Sequence, residues 1–156
     1  MLAEIGAVAA VYAVVTIALA PISYGPLQLR VSEILKSLVI WEPHLIPAFV
    51  IGNFLSNLAS PYAGPWELLF MPFANLVGAS ACYAAGRRWP WAGAAIYALI
   101  IAAAVGLMLS VLIKAPFAVL FPGLLLSEAI LIVGGLPIMR VVLRSTAPIR
   151  RKWLAA

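Results

Sequence analysis

Apolar residues run along this chain in long blocks, without the alternation of a half-buried strand or the narrow stripe of a soluble helix. Proline, glycine and polar clusters divide the blocks into six predicted helical spans. The first runs from about Ile5 to Ala20 and stops at Pro21, where Pro-Ile-Ser-Tyr-Gly-Pro reads as a turn-rich loop. The second, about Leu27 to Trp41, carries Arg30, Glu33 and Lys36, so hydropathy alone would miss it. The third, about His44 to Ala59, contains Pro47, Gly52, Asn53 and Asn57, and a Ser60 to Pro65 loop follows it. The fourth spans about Trp66 to Ala85 and the fifth about Trp91 to Ile113. The sixth starts near Pro116 and reaches about Leu143, with kinks expected at Pro122 and at Gly134-Gly135.

Composition makes the setting explicit. The 156 residues are 65% hydrophobic and only 10% charged, with a mean hydropathy of +1.11. A soluble domain is nearer half apolar and a quarter charged, and a spanning helix needs about 20 mostly apolar residues. The expectation is an all-α integral membrane protein, a bundle of six transmembrane helices forming one domain over residues 1–156. No cleavable signal peptide is read at the start, which lacks a basic segment before the apolar run.

The net charge of +5 is read as topology and not as a nucleic-acid footprint, because Lys and Arg collect in cytoplasmic loops. Arg87 and Arg88 lie between the fourth and fifth spans, and Arg140, Arg144, Arg150, Arg151 and Lys152 lie toward the end. With six spans both clusters fall on one side, which puts both termini in the cytoplasm. Parity alone does not prove the second crossing, since an uncrossed second segment also satisfies the rule.

Intramembrane charge is costly, so the polar residues are the informative ones. The topology puts Gln28, Arg30 and Glu33 in the outer half of the second span and Asn53 and Asn57 in the middle and outer half of the third. Asn75 falls about two to three turns into the fourth span, and Glu128 near the membrane middle of the sixth. Most costly groups thus gather toward the outer side, ringed by Tyr24, Tyr62, Trp66, Phe70 and Phe73. A planar ligand stacks on such rings while carboxylates and amides read its edges.

Each group also has a plain structural reading. Arg30 and Glu33, three apart, neutralise each other on a helix. Asn53 and Asn57 share a face and serve equally as hydrogen-bond glue between helices. Lys36 pairs with Glu33 or snorkels, Glu67 is solvated beside its loop, and His44 is interfacial. The aromatics fit an ordinary interfacial belt. Glu128 has no basic residue within a helical turn and so needs a partner from another span or a ligand.

Several classes drop out. One cysteine, Cys82, and one histidine, His44, leave no disulfide framework and no two-histidine metal site. No G-x-x-x-x-G-K-[ST] loop is present, so the chain does not hydrolyse ATP itself. No nucleophile–base constellation supports catalysis. The small residues Ala3, Ala7, Ala9 and Ala13, spaced by four within each pair, allow close helix approach, to a partner or within the chain.

The stretch Ala20-Pro-Ile-Ser-Tyr-Gly-Pro-Leu-Gln-Leu-Arg-Val-Ser-Glu33, with Ile46-Pro-Ala-Phe-Val-Ile-Gly-Asn-Phe-Leu-Ser-Asn57 and Ser60-Pro61, resembles the queuosine precursor transporter (QueT) family. These are S components of energy-coupling factor (ECF) transporters. The first half carries the resemblance; the second matches mainly in length, hydropathy and span count. The resemblance implies a six-helix bundle in the cell membrane that binds a 7-deazaguanine such as preQ1 or preQ0 from outside. It implies docking on a transmembrane coupling subunit and two ATPase subunits, which alone use ATP, with Ala3, Ala7, Ala9 and Ala13 at the contact. No cofactor, metal or nucleic acid is implied. The substrate-binding residues expected are Tyr24, Gln28, Arg30, Glu33, Asn53, Asn57, Trp66 and Glu128, with Glu33 on the guanine edge and Glu128 on the aminomethyl cation. The rivals are an S component for another vitamin-like molecule and a non-transporting membrane adaptor.

Overall fold

In the computed structural model, residues 1–25 and 27–154 are described, with side chains given to residue 146. Pro26 of the Gly-Pro motif and the side chains of Arg150, Arg151 and Lys152 lie outside the described residues. The described chain is all helical. Its elements are α1 (Leu2–Ala18), the single turn α2 (Ala20–Ser23), a 3-10 helix (Val31–Ile40), a short 3-10 turn (Pro43–Leu45), and α3 (Ile46–Asn57). A π turn (Trp66–Phe70) leads into α4 (Met71–Gly86), followed by α5 (Pro90–Leu112) and α6 (Phe117–Glu128). A second π turn (Ala129–Val133) joins α6 to α7 (Gly134–Leu154).

Among the described residues, three helices are long and apolar enough to cross a membrane: Trp66–Gly86, Pro90–Leu112 and Phe117–Thr146. Leu2–Ala18 is apolar but shorter. The expected second span differs most. Residues Gln28 to Arg30 are irregular, and the helix after them is 3-10 in type. Ten residues of 3-10 helix rise about 20 Å, against about 15 Å for the same residues as α-helix. The short segment therefore reaches from Arg30, at the end where α1 finishes, to Trp41, beside Pro90 and Arg140 at the other end. At that other end Glu4 of α1 meets His44, with Nε2 to Oε2 at 3.0 Å.

The expected kinks in the last span also move. α6 runs through Pro122, and the irregular turn sits at Ala129–Val133, just ahead of the Gly134-Gly135 pair. Such π turns often mark functional positions in helices.

Two glycines sit at close helix crossings. A Cβ on Gly93 of α5 would stand 2.5 Å from the Cys82 carbonyl oxygen and 2.6 Å from the Gly86 Cα, backbone against backbone. A Cβ on Gly52 of α3 would meet the Ala9 carbonyl oxygen and the Tyr12 side chain at 3.0 Å. The core built around these crossings includes Tyr12, Phe49, Met71, Tyr97, Met108 and Ile132. Large apolar side chains such as Leu69, Phe73, Val119 and Leu126 point outward and stay exposed, as hydrocarbon solvent permits.

Candidate functional site

The interior holds a run of polar side chains between the end where α1 finishes and the bundle middle. Its upper part is organised by Arg30, which precedes the 3-10 helix with an extended backbone (φ −85°, ψ 96°). Its guanidinium is 3% exposed residue-wide and spends its donors on three side chains. Nη1 donates to Asn57 Oδ1 at 2.8 Å, and Nη2 donates to Gln28 Oε1 at 3.0 Å and Glu67 Oε1 at 3.4 Å. The Tyr24 ring lies 5.3 Å from the guanidinium carbon, a cation–π contact, while its hydroxyl donates to the Ser56 carbonyl. Asn57 Nδ2 in turn donates to the Glu67 carbonyl at 2.9 Å and to Asn53 Oδ1 at 3.2 Å.

Gln28 reaches Arg30 through an unusual backbone. Its φ of 48° lies in the left-handed region, which costs a non-glycine residue about 1–2 kcal/mol. The turn is held by Gln28 N–H to the Gly25 carbonyl (2.9 Å) and Leu29 N–H to the Ile22 carbonyl (3.0 Å). Strain of this kind is retained where the surroundings over-determine it, often at a site.

The lower part centres on Glu33. The Tyr12 hydroxyl donates to one carboxylate oxygen and the Lys36 ammonium pairs with the other. Residues three apart eclipse on a 3-10 helix, so Glu33 and Lys36 stack directly. Lys36 is wholly buried, its nitrogen 5.0 Å from the Tyr97 ring centroid and 5.9 Å from that of Tyr12. Glu128, at the last turn of α6, faces Glu33 and feels the charges of Lys36 and Arg30. Tyr97 donates to Asn75 Oδ1 at 3.1 Å, and Thr16 bonds Ser32, oxygen to oxygen, at 2.6 Å.

Several expectations change. Arg30 does not pair with Glu33; being outside the helix, it falls off the i, i+3 spacing and takes Glu67 instead. Glu67 is fully buried and not solvated, because the π turn carries it inward. Lys36 pairs and does not snorkel. Trp66 is 39% exposed and packs edge-on against Phe70, apart from the polar run. Ala9 and Ala13 face inward against α3, so they pack within the chain and offer no surface for a partner, whereas Ala3 and Ala7 are exposed. Tyr24, Gln28, Arg30, Glu33, Asn53, Asn57 and Glu128 do come together. Residues missed by sequence reasoning are Tyr12 and Tyr97, for which a tyrosine inside an otherwise apolar run was the available signal; the expected pairing of Lys36 with Glu33 is present.

This arrangement is a set of buried charges on an apolar scaffold, and a family model described as QueT transporter matches residues 2–144 of the chain. The chain belongs to the QueT transporter family. No curated protein and no solved structure matches it. Family and apolar helices together make it a membrane transport protein. In this QueT chain the larger described cavities, of about 430 and 390 Å³, open at the end of Trp41, Pro90, Arg140 and Arg144. The polar run at the opposite end is closed over, yet not self-sufficient. Ser23 Oγ, Gln28 Nε2, Glu67 Oε2 and Glu128 Oε2 are buried without a hydrogen-bond partner, while Glu33 Oε2 and Lys36 Nζ have only their mutual ion pair. Each such atom costs about 1–3 kcal/mol. The polar run, and not the larger cavities, is therefore the candidate site.

Proposed function

We propose that this chain is the membrane-embedded S component of an ECF-type transporter that takes up a queuosine precursor, a 7-deazaguanine such as preQ1 or preQ0. It crosses the cell membrane six times with both termini in the cytoplasm, the 3-10 helix serving as the second crossing. The observation that carries the reading is the buried run around Arg30, Glu33 and Glu128, whose acceptors and donors are not all used internally. An adaptor whose polar groups only brace one another would leave no such atoms, since each one costs stability. A guanine-like base supplies the complementary N–H groups and carbonyl, and Tyr24 and Asn53 complete the walls. Glu128, whose Oε2 is unmet, is the acid for an aminomethyl cation.

The same reading assigns energy coupling elsewhere. A transmembrane coupling subunit and two ATPases dock on this chain and spend the ATP, and Ala3 and Ala7 on the exposed face of α1 are at that contact. The chain binds no cofactor of its own and performs no catalysis. Mass spectrometry of small molecules released from the purified protein tests the reading. A 7-deazaguanine is the expected mass; a different vitamin-like compound at stoichiometric level would reassign the substrate.

A further inference from the structure

Arg30 does more than neutralise an acid. It is a donor-only group, so the Gln28 amide must turn its oxygen toward Nη2, which leaves the Nε2 donors pointing elsewhere. Glu67 likewise spends Oε1 on that same nitrogen, while its Oε2 makes no geometric hydrogen bond, with the Ser60 side chain beside the carboxylate. One nitrogen therefore anchors both side chains, at 3.0 Å and 3.4 Å, and leaves an amide donor and a carboxylate acceptor without partners. Both residues are buried to within 1% of complete. Glu33, by contrast, has Tyr12 on one oxygen and Lys36 on the other.

We propose that Gln28 and Glu67, held by Arg30, form the subsite that reads the lactam edge of the substrate, with Gln28 Nε2 donating to the ring carbonyl and Glu67 Oε2 accepting the adjacent ring N–H. This rests on the substrate-binding reading above and reassigns the edge from Glu33 to Glu67. Glu33 becomes a brace for Lys36. The substrate class follows from the pair: a heterocycle with a carbonyl next to a ring N–H is accepted. One with an amino group next to a bare ring nitrogen presents the opposite polarity and sets donor against donor and acceptor against acceptor.

Calorimetry on the full chain tests this with two probes, 7-aminomethyl-7-deazaguanine and 7-deazaadenine, which lacks the lactam. The wild type is expected to prefer the first by at least about 100-fold, because unpaired buried polar groups penalise the wrong edge heavily. Glu67→Gln is expected to weaken the first probe about 30-fold or more, and Gln28→Met about tenfold or more. Glu33→Gln/Lys36→Met, which removes the lower pair, is expected to weaken the first probe less than Gln28→Met does. Gln28→Met removes no charge, so it decides the matter if Glu67→Gln does not fold. Affinity unchanged in folded Gln28→Met, or a larger loss in Glu33→Gln/Lys36→Met than in Gln28→Met, would overturn the assignment while leaving deazaguanine binding intact. A wild type that binds neither probe would instead refute the deazaguanine reading, and this subsite with it.

Discussion

Glu33→Gln should unfold the protein more readily for a reason that has nothing to do with ligand. In the native bundle the Lys36 ammonium is fully buried and its ionic partner is the Glu33 carboxylate. The faces of Tyr97 and Tyr12 add cation–π attraction, and Glu128 a longer-range charge. Removing the carboxylate charge strands a buried cation, which typically costs about 3–5 kcal/mol. The Tyr12 hydroxyl also exchanges a charge-assisted acceptor for a neutral one, a smaller loss. At about 2–4 °C per kcal/mol for a chain of this size, the melting temperature in detergent should fall by about 6–20 °C. The double variant Glu33→Gln/Lys36→Met removes the stranded charge and fills its space with an apolar side chain. It should recover most of the loss, standing about 2–4 kcal/mol above Glu33→Gln alone, which shows as strong coupling in the double-mutant cycle. A single variant as stable as wild type, or a double variant no better than the single, would refute the Glu33–Lys36 pair as the organising contact. The cycle with Arg30→Gln in place of Lys36→Met should show far less coupling, since Arg30 pairs with Glu67.

Three other outcomes follow from the packing. Gly93→Ala drives a methyl into the backbone of α4 and should cost about 1–3 kcal/mol in thermal unfolding; unchanged stability would mean α4 and α5 are not in backbone contact. Ala9→Leu and Ala13→Leu should damage folding and ligand binding together. Ala3→Leu and Ala7→Leu should leave both intact and reduce only uptake in cells that express the coupling subunits, and normal uptake would remove α1 from that contact. Single cysteines placed in a Cys82→Ala background should label from outside near Tyr62 and only from inside near Arg88, and outside labelling at Arg88 would invert the topology.

Much of the fold was legible because apolar runs and breakers report helices directly. The helices from Ile46, Trp66, Pro90 and Phe117 begin within about two residues of where the runs begin, well inside ordinary boundary error. The segment from Leu27 to Trp41 was not legible in type. Its three charges do not suit hydrocarbon, and nothing in their spacing separates 3-10 from α geometry. The site was half legible. That the polar groups gather toward one end and the middle could be read from spacing along each span. Which acid meets Arg30 could not, because it depends on Arg30 lying outside the helix and on the π turn at Trp66–Phe70 swinging Glu67 inward. The alanines show the same limit: spacing by four marks a face fit for close approach, while only tertiary packing tells Ala9 from Ala7.

The most direct test of the account is a titration of 7-aminomethyl-7-deazaguanine into the purified, monodisperse chain with no ATP and no partner subunit present. The account predicts saturable binding of one ligand per chain, and no accumulation in vesicles until the coupling subunit and ATPases are added. Absence of binding by folded protein, or accumulation driven by this chain alone, would contradict it.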